Sequence, residues 1–291
     1  MRRYAFIALA VLTFVWGYNW VVMKIAVQYA PPIEFAAYRL LGGGILLFAI
    51  MIAMRRPLRP KYLRRFILIG VFQSGGFVAL AMWAVLAAGA GKVAVLSYTM
   101  PFWVAILAWP IFGERLQKRQ MVSIAIAMCG ILLIMDFWHA KGSLVADGIA
   151  VAAGVSWAIG VILAKRLQMR YEVDVLELTT WQLIFGGIAV GIVALIVPEH
   201  ATHWTPVYIG TLLYNIIAAT ALGYLLFIFV LRHLTAREAS MGTLLNPILG
   251  IVAAWLQLGE APSTTEAFGM GLVVLSLAAL TLEQKRVPDN E

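Results

Sequence analysis

The chain has 291 residues, of which 63% are apolar and only 12% are Asp, Glu, Lys or Arg. Soluble domains run about 45–50% apolar and about 25% charged, and a mean hydropathy of +0.90 departs in the same direction. So little charge cannot cover a water-facing surface, which excludes soluble enzyme folds and leaves an all-α integral membrane protein.

A membrane helix needs roughly 20 apolar residues, so with short loops the length accommodates ten spans and no soluble domain. Apolar runs fall at 5–27, 35–54, 65–87, 93–112, 120–137, 145–167, 175–197, 207–231, 238–258 and 266–283. Turn residues separate them: Pro31-Pro32, Pro57 with Pro60, Pro198, Pro206 and Pro262. None of the runs shows the alternation of a β-barrel strand. The basic opening Met1-Arg2-Arg3 could begin a signal peptide, but the apolar run continues past Val21 without a small-residue cleavage site. A retained first helix is therefore expected. The single cysteine, Cys129, has no intrachain partner for a disulfide and lies in an apolar run.

Orientation follows from Lys and Arg. With the N-terminus in the cytoplasm, 18 of the 22 basic residues fall in cytoplasmic connections or tails, and only Lys24, Arg39, Lys92 and Lys141 fall on the other side. One missed helix would invert every later loop and destroy that asymmetry. Both termini are expected in the cytoplasm, in the cell's inner membrane. The same bias accounts for the net charge of +8, so no nucleic-acid partner is called for.

The two halves repeat a pattern. Trp16 precedes Lys24 by eight residues in the first helix, and Trp157 precedes Lys165 by eight in the sixth. Pro101 lies twelve residues before Gly113-Glu114 in the fourth, and Pro247 twelve before Gly259-Glu260 in the ninth. Ser97 and Thr243 each stand four before their proline. Gly42-Gly43-Gly44 finds a weaker echo in Gly186-Gly187. Five helices is an odd number, so the second copy enters the membrane from the opposite face. The expected organisation is two inverted five-helix repeats, 5–137 and 145–283, around a central cavity, with a cytoplasmic tail at 284–291. Inverted repeats are characteristic of secondary transporters, which bind substrate near the midplane where the repeats meet.

The opening Trp16-Gly17-Tyr18-Asn19-Trp20 with Lys24, Pro32 and Arg39, then Pro101 to Gly113-Glu114 and Gly130, resembles the EamA domain. That domain defines a branch of the drug/metabolite transporter superfamily, and the resemblance covers nearly the whole chain as two copies. It is most like the YddG-type amino-acid exporters, which implies a ten-helix basket around a cavity and the export of metabolites. The second copy departs from the pattern, since Thr180 or Trp181 stands where Arg39 would be echoed.

Trp16, Trp20 and Lys24 share one helix face at spacings of four, and Trp157 with Lys165 forms the equivalent stripe. These residues either pack in the core with snorkelling lysines, or line a cavity. In a cavity, indole faces would attract an ammonium and the lysines a carboxylate. Pro101 and Pro247 break backbone bonding in mid-helix, as hinges or as fixed bends. Polar candidates at depth are Asn19, Asn215, Asn246, Gln73, Tyr98, Tyr214 and Tyr224, with Phe77 a further aromatic candidate. Unpaired polar groups are costly in hydrocarbon, so these should face a cavity or a neighbouring helix. Arg39, a charge several residues inside the second helix, marks either a functional site or a local pairing with Glu34 or cap of a helix end, and the local role is favoured. The glycine clusters and Ala87–Gly91 read as close helix contacts and a tight hairpin.

All 14 carboxylates and all four histidines fall in loops, tails or terminal turns. Proton-driven carriers usually place such a group at depth. Its absence predicts facilitated diffusion or exchange, rather than a proton-coupled antiporter. No metal-ligand pattern, nucleotide loop or catalytic motif is present, so neither an enzyme nor a cofactor is expected. The resulting expectation is a monomeric exporter of small metabolites, amino acids above all, working by alternating access. Another metabolite or an organic cation is the alternative substrate.

Overall fold

The computed structural model describes residues 2–113, 116–135, 144–197, 200–234, Gly242 and 244–283, with the side chains of 281–283 excepted. Ten membrane helices run through these residues: α1 (Arg2–Ala26), α2 (Pro32–Ala53), α3 (Leu63–Ala87), α4 (Ala90–Phe112), α5 (Lys118–Met135), α6 (Leu144–Gln168), α7 (Val175–Ile196), α8 (Pro206–His233), α9 (Leu245–Leu258) and α10 (Thr264–Glu283). They match the predicted spans within a few residues, except that α9 begins at Leu245. The preceding stretch of the 238–258 run lies largely outside the described residues.

Ends follow local chemistry. Pro32 and Pro206 occupy first turns, where a missing N–H removes no helical bond. The Asp174 carboxylate accepts from the backbone N–H groups of Leu176 and Glu177, and the Thr205 hydroxyl accepts from Tyr208 N. Gly113 and Gly259 close α4 and α9 at φ 71° and φ 70°, a left-handed conformation that favours glycine.

The halves interlock instead of standing side by side. The principal contacts pair α2 with α7, α5 with α10, α4 with α9, α1 with α8 and α9, and α6 with α3 and α4. Every one of these joins the first half to the second, and the set maps onto itself when the halves are exchanged. Glycine permits the tightest approaches. A Cβ on Gly130 would meet Gly269 O at 2.8 Å, and one on Gly269 would meet Gly130 O at 2.7 Å.

Polarity is inverted relative to a soluble fold. Leu195, Leu256 and Leu275 project outward, whereas Asn19, Gln182, Asn215 and Asn246 are buried. One large apolar cluster includes the residues at the end where α3 turns into α4, Val85, Ala90 and Val93 among them, and extends along the helices as far as Met51 and Leu280. Two small ones sit at the opposite end, Ala5, Ala8, Leu9, Val230 and Leu234 on one side, and Phe66, Ile69, Leu167 and Leu178 on the other. A cleft between those flanks leads into the middle of the molecule.

Candidate functional site

Two helices are widened where they border that cleft. α3 carries a π-helical stretch at Gly70–Gly76 and α8 one at Tyr214–Leu222; Phe77 N bonds Phe72 O and Gly223 N bonds Ala218 O, each five residues back. Such widening exposes carbonyls to outside donors, and a partner helix from the other half supplies one in each case. Trp16 Nε1 of α1 donates to Ala219 O at 2.9 Å. Ser156 Oγ of α6 donates to Phe72 O at 2.7 Å.

Between these helices lies a cavity of about 560 Å³, to which every helix except α5 contributes. Its lining extends to Gln168, Val175, Leu231 and Leu244 at one end, and stops at Met23, Leu40 and Val78 toward the other. The cavity therefore opens at the end that carries Arg166, Arg170 and Arg232.

Seven of the ten candidate residues border this space: Trp16, Asn19, Trp20, Phe77, Tyr98, Trp157 and Asn246. Trp20 stands edge-on to Tyr98 with ring centres 6.2 Å apart, and Phe77 edge-on to Trp157 at 4.9 Å. Asn246 Nδ2 donates to the Tyr98 hydroxyl at 2.8 Å, which ties α9 to α4 across the repeat boundary. Gln73 and Tyr224 border the cavity as well.

The other three lie elsewhere. Lys24 donates to Val85 O at 2.7 Å and Ala88 O at 2.9 Å, capping the C-terminal carbonyls of α3. The Tyr214 hydroxyl donates to Val15 O at 2.8 Å, and Asn215 Nδ2 to Thr211 O at 3.0 Å. Lys165 holds its ammonium 4.9 Å from the centre of the Phe112 ring. In the first half, Pro101 sits not in mid-helix but in the first turn of Met100–Phe112, after α4 is interrupted at Tyr98-Thr99. Pro247 likewise falls in the first turn of α9.

Far from the opening, ionic ties hold helix ends together. Lys92 Nζ contacts Asp147 Oδ2 at 2.9 Å and Glu266 Oε1 at 3.2 Å, joining α4, α6 and α10. Glu260 accepts from Ala90 N at 2.6 Å, capping α4, and lies 4.0 Å from Lys24. Asp147 is fully buried although it stands in a terminal turn, a burial that its sequence position does not reveal.

The profile of the EamA-like transporter family matches residues 3–136 and 144–282. The chain belongs to this family. A probable amino-acid metabolite efflux pump of Salmonella typhimurium is 30% identical over 290 residues, covering 95% of this chain and 94% of its own. The uncharacterized transporter YoaV of Bacillus subtilis is 27% identical over 257 residues, covering 86% and 87%. A solved crystal structure shares the fold at a TM-score of 0.67 and 15% identity, over 99% of this chain and 100% of that one. This EamA protein is accordingly a multi-pass membrane transporter, a ten-helix fold around a central cavity with one family match in each half and a small molecule as its cargo.

Sequence reading did not assign Met23, Gln182 or Thr220 to the cavity, and it favoured a local role for Arg39. All four border the cavity. Thr220 is a single polar residue within an apolar stretch, the one signal that could have marked it, whereas Gln182 follows Thr179 and Thr180 at the polar start of α7. The Arg39 guanidinium does not reach Glu34, which instead accepts from Thr202 Oγ1 at 2.9 Å.

Proposed function

We propose that this EamA protein exports amino acids, including those with apolar and aromatic side chains, by alternating access and without proton coupling. The observation that carries this reading is the composition of the cavity wall: Trp16, Trp20, Phe77 and Trp157 stand beside the amides of Asn19 and Asn246. Rings offer apolar contact to a side chain and a face to an ammonium, while amides hydrogen-bond the polar end. The Salmonella relative, named as an amino-acid metabolite efflux pump, supports the same substrate class.

The positive-inside bias puts the open end of the cavity in the cytoplasm, where an exporter loads. Outward release then requires the ties Lys24–Glu260 and Lys92–Asp147–Glu266 to part while the opposite end closes. Inverted repeats supply that second state by letting each half take the conformation of the other. Among the described residues, the cavity lining holds no carboxylate and no histidine, which supports a binding site without a proton relay.

Counterflow in proteoliposomes tests the reading. Labelled phenylalanine or leucine is expected to enter vesicles preloaded with unlabelled amino acid, at a rate indifferent to an imposed pH gradient. Accumulation driven by that gradient overturns the uncoupled mechanism. Failure of every amino acid to exchange overturns the substrate class.

A further inference from the structure

Among the described residues, Arg39 is the one charged side chain in the cavity lining, and its own contacts are weak. Nε faces Thr220 Oγ1 at 3.4 Å and Nη1 faces Met23 Sδ at 3.3 Å. A guanidinium bonded to a carboxylate makes N–H···O contacts of about 2.7–2.9 Å, often two in parallel. No described carboxylate forms an ion pair with Arg39. A cation held at membrane depth without a counter-charge is costly, and the described residues of the wall around it supply no carboxylate.

The same wall has the complementary vacancy. Asn19 Oδ1, Gln73 Oε1 and Asn246 Oδ1 are buried acceptors without a donor, and all three residues border the cavity. One cation with spare donors, several spare acceptors and an aromatic enclosure match a molecule with one carboxylate, one amino group and an apolar remainder.

We infer that Arg39 is the seat of the substrate's carboxylate and the residue that separates amino acids from their decarboxylated or amidated analogues. This inference rests on the amino-acid reading above and sharpens it. An organic cation would place a like charge beside Arg39, so amines lacking a carboxylate are rejected. The amino group lies toward the amide oxygens, and the side chain against Trp16, Trp20 or Trp157.

The test measures inhibition of labelled phenylalanine counterflow by phenylalanine, phenylalaninamide, phenethylamine and 3-phenylpropionate, with wild-type protein, Arg39→Lys and Arg39→Gln. In the wild type, the amide and the amine should compete about tenfold or more weakly than phenylalanine, since a site built around a hydrogen-bonded group discriminates against its loss. Arg39→Gln should lower phenylalanine exchange about tenfold or more, and Arg39→Lys should retain part of it. Melting of each variant in detergent establishes that it is folded. If Arg39→Gln does not fold, the wild-type competition series decides alone. Equal competition by amide, amine and amino acid overturns the role of Arg39 while leaving the exporter standing. Unchanged exchange in folded Arg39→Gln does the same. A wild-type protein that exchanges no amino acid overturns both.

Discussion

Trp16 shows how a single side chain can serve both the wall and the frame of the cavity. Its ring borders the cavity and its N–H satisfies Ala219 O in the widened part of α8. Trp16→Phe retains an aromatic wall but leaves that carbonyl without its donor, an omission that costs about 1–3 kcal/mol. Thermal unfolding in detergent should show the loss, and an unchanged midpoint would mean that α8 does not depend on the indole. Residue-level reading went furthest where spacing alone decides the facing side: Trp16 and Trp20 both reach the cavity. It fell short one turn later, at Lys24. The same stripe continues, but the last turn of α1 meets the end of α3, whose free carbonyls bind an ammonium more closely than open space would. Helical periodicity specifies a face and is silent on what stands opposite each turn of it.

At the scale of elements, the ten helices were legible because hydrocarbon demands long apolar runs with internally satisfied backbones. Their irregularities were legible only in part. Pro101 and Pro247 announced disturbed backbone, and the break at Tyr98-Thr99 lies just before the first of them. The π-helical stretches at Gly70–Gly76 and Tyr214–Leu222 contain no proline and are held by donors from α6 and α1, so no local signal marks them. Glycine was informative, and the close contacts give a sharp comparison within α10. Gly269 meets Gly130 O at 2.7 Å from a built Cβ, whereas Gly271 meets nothing within 4 Å. Gly269→Val should therefore force α5 and α10 apart and destabilise by about 1–3 kcal/mol or more. Gly271→Ala should be neutral or slightly stabilising, because glycine is the poorer helix former. Paired unfolding midpoints check this, and equal losses at the two positions would remove the α5–α10 contact as the cause.

For the whole molecule, the decisive feature is that the main helix contacts run between halves. Either half alone would expose those surfaces, so 5–137 and 145–283 are proposed as repeats of one folding unit, not as independent domains. Expressed separately, each is expected to be degraded, and co-expression should restore both; a stable isolated half would contradict this. The ionic ties at the closed end belong to the same scale. Lys92→Met leaves Asp147 buried without its cation, a change that costs about 3–5 kcal/mol in comparable settings, and it loosens the junction of α4, α6 and α10. In a Cys129→Ser background, an impermeant thiol reagent applied from the Lys92 side should label Val104→Cys faster once Lys92 is replaced. Unchanged labelling would mean that these ties do not keep that end shut.

Composition, span length and the basic-residue bias determine a ten-helix membrane protein and its expected orientation, because hydrocarbon solvation acts on each segment separately and is readable segment by segment. The spaced motifs likewise determine the repeat, since duplicated positions persist in the chain itself. Which polar residues share the cavity was settled only in three dimensions. Arg39 and Asp147 look alike in sequence, each a charge a few residues inside a helix, yet Asp147 is matched by Lys92 while Arg39 faces the cavity without a carboxylate. The energy of a buried charge depends on partners brought from distant segments, and only the packing of one repeat into the other assigns them.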